Sequence, residues 1–258
     1  MTVRRLSRIF RADGRAVIVA LDHGLIVGPC EGFEHPADVI AAAVAGGADA
    51  ILTSYGIARR FAQQLSRVGL ILRSDGASTN LGTPSTGSTT TFFDVDDALR
   101  LGADALVVTA MPGCGKEDST LANLAGVISS AHRWDVPVLA EMVPGGFNSD
   151  PSTRSPEAVG IAVRLGAELG ADFIKSPFCA DFASVASSTF APVVILGGSK
   201  TSERQMLVDI RAAIDAGGAG VAIGRNIFQA PDPAAMTAAI VAIVHGDASV
   251  DDAMAMIS

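Results

Sequence analysis

The sequence predicts a single α/β domain, residues 1–258, folded as a (β/α)8 TIM barrel. The length of 258 residues is long for an ordinary domain but normal for such a barrel. A phrase made of a glycine, a short link and an apolar run recurs four times, and four other apolar runs lie around its copies. Helical patterns fill most of the gaps, so strands alternate with helices, which indicates a closed parallel sheet.

Each predicted strand is short and rich in apolar or β-branched residues. The recurring phrase supplies strands 2, 4, 6 and 8 in the segments 45–55, 101–110, 169–178 and 216–228. The segments 16–24, 70–76, 136–142 and 191–199 supply strands 1, 3, 5 and 7. An open doubly wound sheet is the alternative, but no G-x-G-x-x-G motif follows the first strand. The basic segment "MTVRRLSRIFRADGR" predicts a short amphipathic helix at the outside or base of the barrel.

Composition and charge argue against several classes of function. Hydrophobic residues make up 49% of the chain and charged residues 18%, which permits a large core. The net charge of -8 argues against general affinity for nucleic acids. No apolar run reaches the length that a membrane span needs. The three cysteines share no metal-ligand spacing, and a reduced cytoplasmic setting is the simplest interpretation.

The chemistry of such a barrel lies at the carboxyl ends of its strands. The polar side chains predicted there, outside the last two loops, are Asp22, His23, Tyr55, Arg73, Asp75, Glu141 and Lys175. Lys175 interrupts the apolar run "GADFIKSPF" in a chain that has three lysines and sixteen arginines. Strand alternation puts Lys175 and Phe173 on one face and Ile174 on the other.

Lys175 is predicted to be a catalytic nucleophile. If it points into the barrel, desolvation disfavours its ammonium form, and a neutral amine attacks a ketone to form a Schiff base. The iminium then acts as an electron sink for making or breaking a carbon–carbon bond. Asp22 is predicted to position hydroxyls or transfer protons near it. The alternative is an ion-paired lysine, with Asp22 or Glu141 as its partner.

Two glycine-rich loops predict a phosphate site. "LGGSK" follows strand 7 and "IGRN" follows strand 8, where such barrels commonly hold phosphate. Glycines let backbone N–H groups approach an anion closely, and basic side chains add charge. The predicted phosphate-binding residues are Gly197, Gly198, Ser199, Lys200, Gly224 and Arg225. Tight turns without a ligand are the alternative. The histidines are scattered, so we expect neither a metal nor a cofactor.

Six segments carry a resemblance to a known family: "RIFRADGRAVIVALDHGLIVGP", "SDGASTNLG", "LRLGADAL", "GADFIKSPF", "GGSK" and "GRNIFQ". They resemble the archaeal-type class I fructose-bisphosphate aldolase family, which includes 2-amino-3,7-dideoxy-D-threo-hept-6-ulosonate synthase and the thiolase of autoinducer-2 breakdown. The resemblance runs along nearly the whole chain. It implies a (β/α)8 barrel, a Schiff-base lysine at Lys175, an active-site aspartate at Asp22 and phosphate at the last two loops. It also implies a homo-oligomer, commonly a decamer.

One stretch departs from the family's pattern. Family aldolases carry an acid–base tyrosine after strand 5, in a pattern like Y-P-R-G, where this chain reads "AEMVPGG". Val143 replaces the tyrosine, and Gly145 replaces the arginine. Glu141 is in phase with Val143, so we predict Glu141 as the general acid–base, its alternative being a salt bridge to Lys175 or an arginine. Tyr55, at the end of strand 2, is the other candidate catalytic residue. We expect the substitution Tyr55→Phe to alter mainly substrate binding.

Together these patterns predict a metal-independent class I aldolase acting on a phosphorylated ketose or ketose-like substrate, with dihydroxyacetone phosphate as donor or product. One alternative is an acyltransferase that uses the same lysine on a phosphorylated diketone, with coenzyme A as acceptor. The other is a non-catalytic phosphate-binding barrel. We expect a phosphorylated small molecule as partner, neither a nucleic acid nor a membrane, and a cytoplasmic homo-oligomer.

Overall fold

Eight parallel strands form a closed barrel in the computed structural model of the chain. The structure describes residues 3–76, 79–81 and 89–257, so part of the motif "SDGASTNLG" lies outside the described residues. The strands are β1 (Ala16–Leu21), β2 (Ala50–Thr53), β3 (Gly69–Arg73), β4 (Ala105–Ala110), β5 (Val138–Met142), β6 (Phe173–Ser176), β7 (Val193–Leu196) and β8 (Gly220–Ile223). They pair in sequence order, and β8 pairs with β1 to close the barrel, which confirms the predicted fold class.

Helices connect the strands around the outside. They are α1 (Val3–Leu6), α2 (Gly24–Val27), α3 (Pro36–Ala45), α4 (Tyr55–Arg60), α5 (Ala62–Leu65), α6 (Val95–Leu101), α7 (Glu117–His132), α8 (Pro156–Glu168), α9 (Phe182–Ser187), α10 (Glu203–Asp215), α11 (Arg225–Phe228), α12 (Pro233–Gly246) and α13 (Val250–Ala255). A 3-10 helix, Pro151–Arg154, precedes α8, and a short antiparallel ribbon joins Asp75–Gly76 to Thr90–Thr91. None of the helices in the described ranges is both long and apolar enough to cross a membrane.

Helices α8 and α10 begin where capping chemistry places them. Ser155 caps α8 by accepting a hydrogen bond from the backbone N–H of Ala158, and Pro156 occupies the first turn. Ser202 caps α10 in the same way, through the N–H of Gln205. Each cap satisfies a backbone donor that lacks a partner within its helix.

The core has two layers because strand side chains alternate between the barrel interior and the helices. In β1, Ile18 belongs to the interior layer, while Val17 and Val19 pack outward under the helices. The N-terminal segment closes the base of the interior: Ile9 is fully buried in that layer, and the ring of Phe10 meets Phe173 edge to face at 5.3 Å. The predicted N-terminal helix is present, but α1 is a single turn. The residues that close the base of the barrel, Ile9 and Phe10, lie in the chain that follows α1.

The recurring phrase has a structural reason that its glycines alone do not reveal. Three copies carry an aspartate, Asp49, Asp104 and Asp172, at the foot of β2, β4 and β6. Each aspartate brackets one residue of the preceding strand, donating its N–H to that residue's carbonyl and accepting that residue's N–H through its carboxylate. The bracketed residues are Val17, Leu70 and Val138. The carboxylates thereby satisfy backbone donors at the barrel floor.

Asp49 has a second function at this end of the barrel. The side chain of His245, from α12, faces two carboxylates: Nδ1 lies 2.6 Å from Asp13 and Nε2 lies 2.9 Å from Asp49. Both nitrogens of an imidazole donate only in its charged form, so the charged form satisfies both contacts. Burial lowers the pKa of His245, but the two carboxylates outweigh it and raise that pKa above its ordinary value.

Candidate active site

Lys175 points into the barrel and shares its face with Phe173, the pairing that strand alternation predicts. Its side chain lies on β6 above Phe173, which belongs to the interior layer, while Ile174 packs outward against the helices. Lys175 is only 6% exposed, and its Nζ lies 2.6 Å from Oε1 of Glu141. The two residues are register partners on β5 and β6, so the sheet itself brings them together.

Glu141 is held from both sides. Its second oxygen, Oε2, lies 2.7 Å from a guanidinium nitrogen of Arg73 and accepts a hydrogen bond from Thr109 Oγ1 at 2.8 Å. At 3% exposure the carboxylate is shielded from water. The salt bridge weighed above as the alternative for both Glu141 and Lys175 is therefore present, and it joins them directly. A carboxylate that touches the amine is also placed to exchange a proton with it.

Arg73, which was predicted to lie at a strand end but without a specific role, is the centre of this network. It is buried at the end of β3, and its Nε lies 2.8 Å from Oδ2 of Asp22. A further guanidinium nitrogen lies 3.1 Å from Asp75 and donates to Thr109 Oγ1 at 2.9 Å. One arginine thus ties the strand ends of β1, β3, β4 and β5 together. The available signal was its position at a strand end, in phase with Asp75.

The cations decide the protonation of the two carboxylates nearest them. Burial raises the pKa of Asp22, but Arg73 and Lys175 outweigh it and leave that pKa below its ordinary value. Burial also raises the pKa of Glu141, but Lys175 and then Arg73 hold it well below the usual range. Burial wins at Asp75, whose pKa is raised despite Arg73. Asp22 and Glu141 are therefore ionised at neutral pH when no substrate is bound.

A cavity of about 270 Å³ opens beside this network. Its polar lining is formed by His23, Glu141, Lys175, Asn148, Arg154, Ser199 and Arg225, with the glycines of the last two loops. A smaller cavity of about 50 Å³ adjoins it on the side of Asp22, Arg73 and Asp75, and Glu141 lines both. The amine and the carboxylates thus border space that a small molecule can enter.

The two loops predicted to hold phosphate form one wall of the larger cavity. Gly224 has no room for a side chain, because a Cβ there would lie 2.4 Å from the carbonyl of Ala20 and from the ring of His23. Gly198 has a positive φ of 61°, which favours glycine. Arg225 donates to the carbonyl of Gly198 at 3.0 Å, so its guanidinium spans the two loops.

Asn226 holds these loops in register; it lies in the predicted loop after strand 8 but was not among the predicted phosphate-binding residues. It is 3% exposed, and its amide nitrogen donates to the carbonyls of Gly197 at 2.9 Å and Ser199 at 3.2 Å. Its amide oxygen accepts the N–H of Thr201 at 3.0 Å. Lys200, predicted to bind phosphate, instead donates to the carbonyl of Gln229 at 2.8 Å and does not line the cavity. This hydrogen bond ties the loop after β7 to the residue that ends α11.

Tyr55 also lies apart from the site. Helix α4 begins at Tyr55, directly after β2, and the phenol ring stacks on Phe93 with ring centroids 4.6 Å apart. Tyr55 lines neither of the two cavities around Glu141. The strand-end rule placed it at the right end of the barrel, but the immediate start of a helix turns its side chain outward. The ring of Tyr55 therefore lies outside the space that Lys175 and Glu141 border.

The position of the family's tyrosine is occupied by an apolar wall. Val143 is buried and lines the larger cavity two residues after Glu141. Gly145 has a φ of 70°, and a Cβ there would lie 2.8 Å from the side chain of Ser149, so an arginine does not fit this backbone. Among the described residues, no group of three or more His, Cys, Asp or Glu side chains has the arrangement of a metal site.

Comparison with known proteins agrees with this geometry. Residues 16–230 match the model of the DeoC/LacD family aldolase. The chain is 40% identical to 2-amino-3,7-dideoxy-D-threo-hept-6-ulosonate synthase of Halobacterium salinarum, over 97% of this chain and 94% of that protein. It is 34% identical to 2-amino-4,5-dihydroxy-6-oxo-7-(phosphonooxy)heptanoate synthase of Streptomyces griseus, over 93% of this chain and 89% of that protein.

Solved structures show the same fold. An archaeal fructose 1,6-bisphosphate aldolase superposes with a TM-score of 0.86 at 30% identity, covering 95% of this chain and 100% of that one. A second structure, with the same score and identity and 95% and 99% coverage, is described as an archaeal aldolase whose catalytic Lys is covalently bound to the carbinolamine intermediate of the substrate. The relatives are aldolases and synthases, so the chain is an enzyme of the lyase class. It belongs to the DeoC/LacD family of class I, Schiff-base aldolases.

Proposed function

We propose that the chain is a metal-independent aldolase that makes or breaks a carbon–carbon bond in a phosphorylated ketose or ketose-like substrate. The observation that carries the proposal is the contact of 2.6 Å between Lys175 and Glu141, buried at the edge of a cavity with a glycine-rich wall. The amine is the nucleophile, and the carboxylate is the proton carrier. Dihydroxyacetone phosphate is the proposed donor or product, with its phosphate held by the loops around Gly198 and Arg225.

Schiff-base formation then follows from the positions of the groups. Glu141 takes a proton from the ammonium of Lys175, and the freed nitrogen attacks the ketone carbon. The resulting carbinolamine loses its hydroxyl as water when Glu141 returns the proton, which leaves a protonated imine. The apolar barrel interior below Lys175 limits the access of water to the amine.

The carbon–carbon step uses the same carboxylates. Removal of a proton from the carbon beside the iminium gives an enamine, which attacks the aldehyde carbon, and the new alkoxide takes a proton. Asp22, fixed by Arg73 at 2.8 Å, is placed to hold a hydroxyl of the donor beside the smaller cavity. Glu141, which lines both cavities, is the proposed proton carrier for this step.

The names of two relatives narrow the acceptor. Both products are seven-carbon 2-amino acids with a ketone at carbon 6, and the Streptomyces griseus product is named with hydroxyls at carbons 4 and 5 and a phosphate at carbon 7. An aldol disconnection between carbons 4 and 5 of that product gives dihydroxyacetone phosphate and a four-carbon amino-acid aldehyde. We propose an acceptor of this kind, an aldehyde with an anionic end, for this chain.

Borohydride trapping tests the proposed function. The protein is incubated with dihydroxyacetone phosphate and sodium borohydride, digested, and analysed by mass spectrometry. The expected adduct lies on Lys175 and is lost in Lys175→Met, a substitution that keeps the length and the apolar stem of the side chain. An adduct on Lys116 or Lys200 instead, or no adduct on any lysine, contradicts the proposal.

A further inference from the structure

Arg154 is a cavity-lining cation that lacks a carboxylate partner among the described residues. It ends the 3-10 helix Pro151–Arg154 and faces the same cavity as Lys175 and Arg225. Its Nε is buried and has no hydrogen-bond partner within the described part of the chain. Within the described residues, the guanidinium of Arg154 makes one hydrogen bond. A terminal nitrogen donates to the carbonyl of Phe147 at 3.4 Å, near the outer limit for such a bond.

An unpaired buried donor is costly. Leaving such a group without a partner lowers the stability of the folded state, and the cost is larger when the group belongs to a charged side chain. The exposed Arg164, on the neighbouring helix α8, by contrast has a carboxylate partner, Glu168, at 2.7 Å. A guanidinium that is kept unpaired at the edge of a cavity is therefore suited to a ligand that brings the missing acceptor.

The segment that carries Arg154 is built rather than loose. Gly145 N–H donates to the carbonyl of Pro112 at 2.7 Å, which fixes the start of the segment after β5. Asp150 caps the 3-10 helix through the N–H of Ser152 at 2.8 Å, and the hydroxyls of Ser149 and Thr153 lie 2.8 Å apart. These contacts fix the 3-10 helix, and with it the backbone of Arg154, beside the cavity.

The position of Arg154 in the barrel order assigns it to one end of the substrate. Its segment follows β5, whereas the phosphate loops follow β7 and β8, and Lys175 lies between them on β6. A ketone bound at Lys175 with its phosphate on the Arg225 side therefore extends its new carbon–carbon bond toward the β5 side. The group that reaches Arg154 belongs to the aldehyde acceptor.

We propose that Arg154 is the acceptor-specificity residue of this enzyme. Its guanidinium binds an anionic group, a carboxylate or a phosphate, at the end of the acceptor that is remote from the aldehyde carbon. This inference rests on the proposed function, since the acceptor is defined by the aldol reaction. It also gives a physical reason why Gly145 is tolerated: the cation comes from the end of the same segment instead.

Matched acceptors test the proposal. Condensation with dihydroxyacetone phosphate is measured for succinic semialdehyde, glyceraldehyde 3-phosphate and neutral butyraldehyde, in the wild type, Arg154→Gln and Arg154→Lys. A charged hydrogen-bonded contact contributes about 1.5–3 kcal/mol, so Arg154→Gln is expected to lower kcat/KM about 10- to 150-fold for the preferred anionic acceptor. Butyraldehyde is expected to lose less than threefold, and Arg154→Lys to recover part of the activity. Whichever anionic aldehyde loses more identifies the anion as carboxylate or phosphate.

Arg164→Gln is the control, because it removes the same charge from the exposed face of α8. An equal loss for the neutral and anionic acceptors, or no loss for either anionic one, overturns the proposal. Borohydride trapping at Lys175 in Arg154→Gln separates the two levels of inference. Trapping that persists shows that the donor chemistry stands whatever the acceptors do.

A second measurement works without turnover. Phenylglyoxal labels accessible arginines, and peptide mass spectrometry follows the labelling of Arg154 with succinate or inorganic phosphate present. Slower labelling of Arg154, with Arg164 unchanged, supports the anion site even if no imine is trapped. Unchanged labelling of Arg154 at saturating concentrations of both anions counts against the site.

Discussion

Replacing Glu141 by glutamine tests whether this carboxylate carries the protons of Schiff-base formation and of the carbon–carbon step. The substitution keeps the shape of the side chain but removes the charge that lies 2.6 Å from Lys175 and 2.7 Å from Arg73. A carboxamide acts as neither an acid nor a base at neutral pH. The carbinolamine and the enamine therefore lose their nearest proton carrier. Glu141→Gln is therefore expected to slow turnover strongly while leaving slow imine trapping at Lys175 detectable.

The magnitude follows from the role. A positioned general acid–base contributes about 10²- to 10⁴-fold, which corresponds to about 2.7–5.5 kcal/mol in the activation barrier. Breaking a buried ion pair also costs stability, about 3–5 kcal/mol when one partner is left alone. Arg73 keeps Asp22 and Asp75 in the variant, so the cost falls on Lys175. The assay therefore combines kcat, borohydride trapping and urea unfolding on the same preparations.

Asp75→Asn is the matched comparison. It also removes one carboxylate from Arg73, but within the described part of the chain Asp75 forms no ion pair with Lys175. We expect Asp75→Asn to lower kcat less than tenfold, against a hundredfold or more for Glu141→Gln. Near-normal kcat in Glu141→Gln, or equal losses in the two variants, refutes the assignment of Glu141 as proton carrier.

Three further outcomes are expected. Arg225→Ala raises KM for a phosphorylated ketone about tenfold and leaves an unphosphorylated analogue unchanged; equal rises mean that the arginine is structural. Tyr55→Phe keeps kcat and KM, because the ring stacks on Phe93 outside the cavity, and a loss of kcat returns Tyr55 to the site. The raised pKa of His245 means that its ion pairs contribute fully below about pH 6.5 and are lost as pH rises through the folded-state value. His245→Gln should therefore lower the urea midpoint of unfolding more at pH 6 than at pH 9. The same decrease at both pH values contradicts a stabilising ion pair of His245 with Asp13 and Asp49.

The sequence predicts the barrel well because its signals are local and periodic. The strands alternate with period two, so one short segment is enough to place Lys175 and Phe173 on the same face. The recurring phrase marks β2, β4, β6 and β8 because the same backbone problem, a helix ending just before a strand, is solved four times. The aspartates of three copies of the phrase, Asp49, Asp104 and Asp172, accept backbone N–H groups at the barrel floor. These hydrogen bonds join two different strands, so no local sequence pattern reveals them.

The site is less predictable because its contacts join distant parts of the chain. Arg73 reaches Asp22 across 51 residues and Glu141 across 68, and several strand ends carried side chains of the right type. Nothing in the sequence tells which of them meet. Tyr55 shows the converse: it has the right position by strand counting, but its backbone already belongs to α4, which directs the ring to Phe93. Arg154 lies beyond the last strand-end residue of β5, where counting along strands gives no guide.

The charge balance of the site explains how a strongly acidic Glu141 can still carry protons. Before substrate binds, Lys175 and Arg73 hold the pKa of Glu141 far below its usual range, so the carboxylate is a weak base. A protonated imine carries the same unit charge as the ammonium it replaces, so this ion pair survives Schiff-base formation. The enamine carries no charge on that nitrogen. At that step Glu141 keeps Arg73 alone as its close cation, its proton affinity rises, and burial now favours the protonated acid that the alkoxide requires.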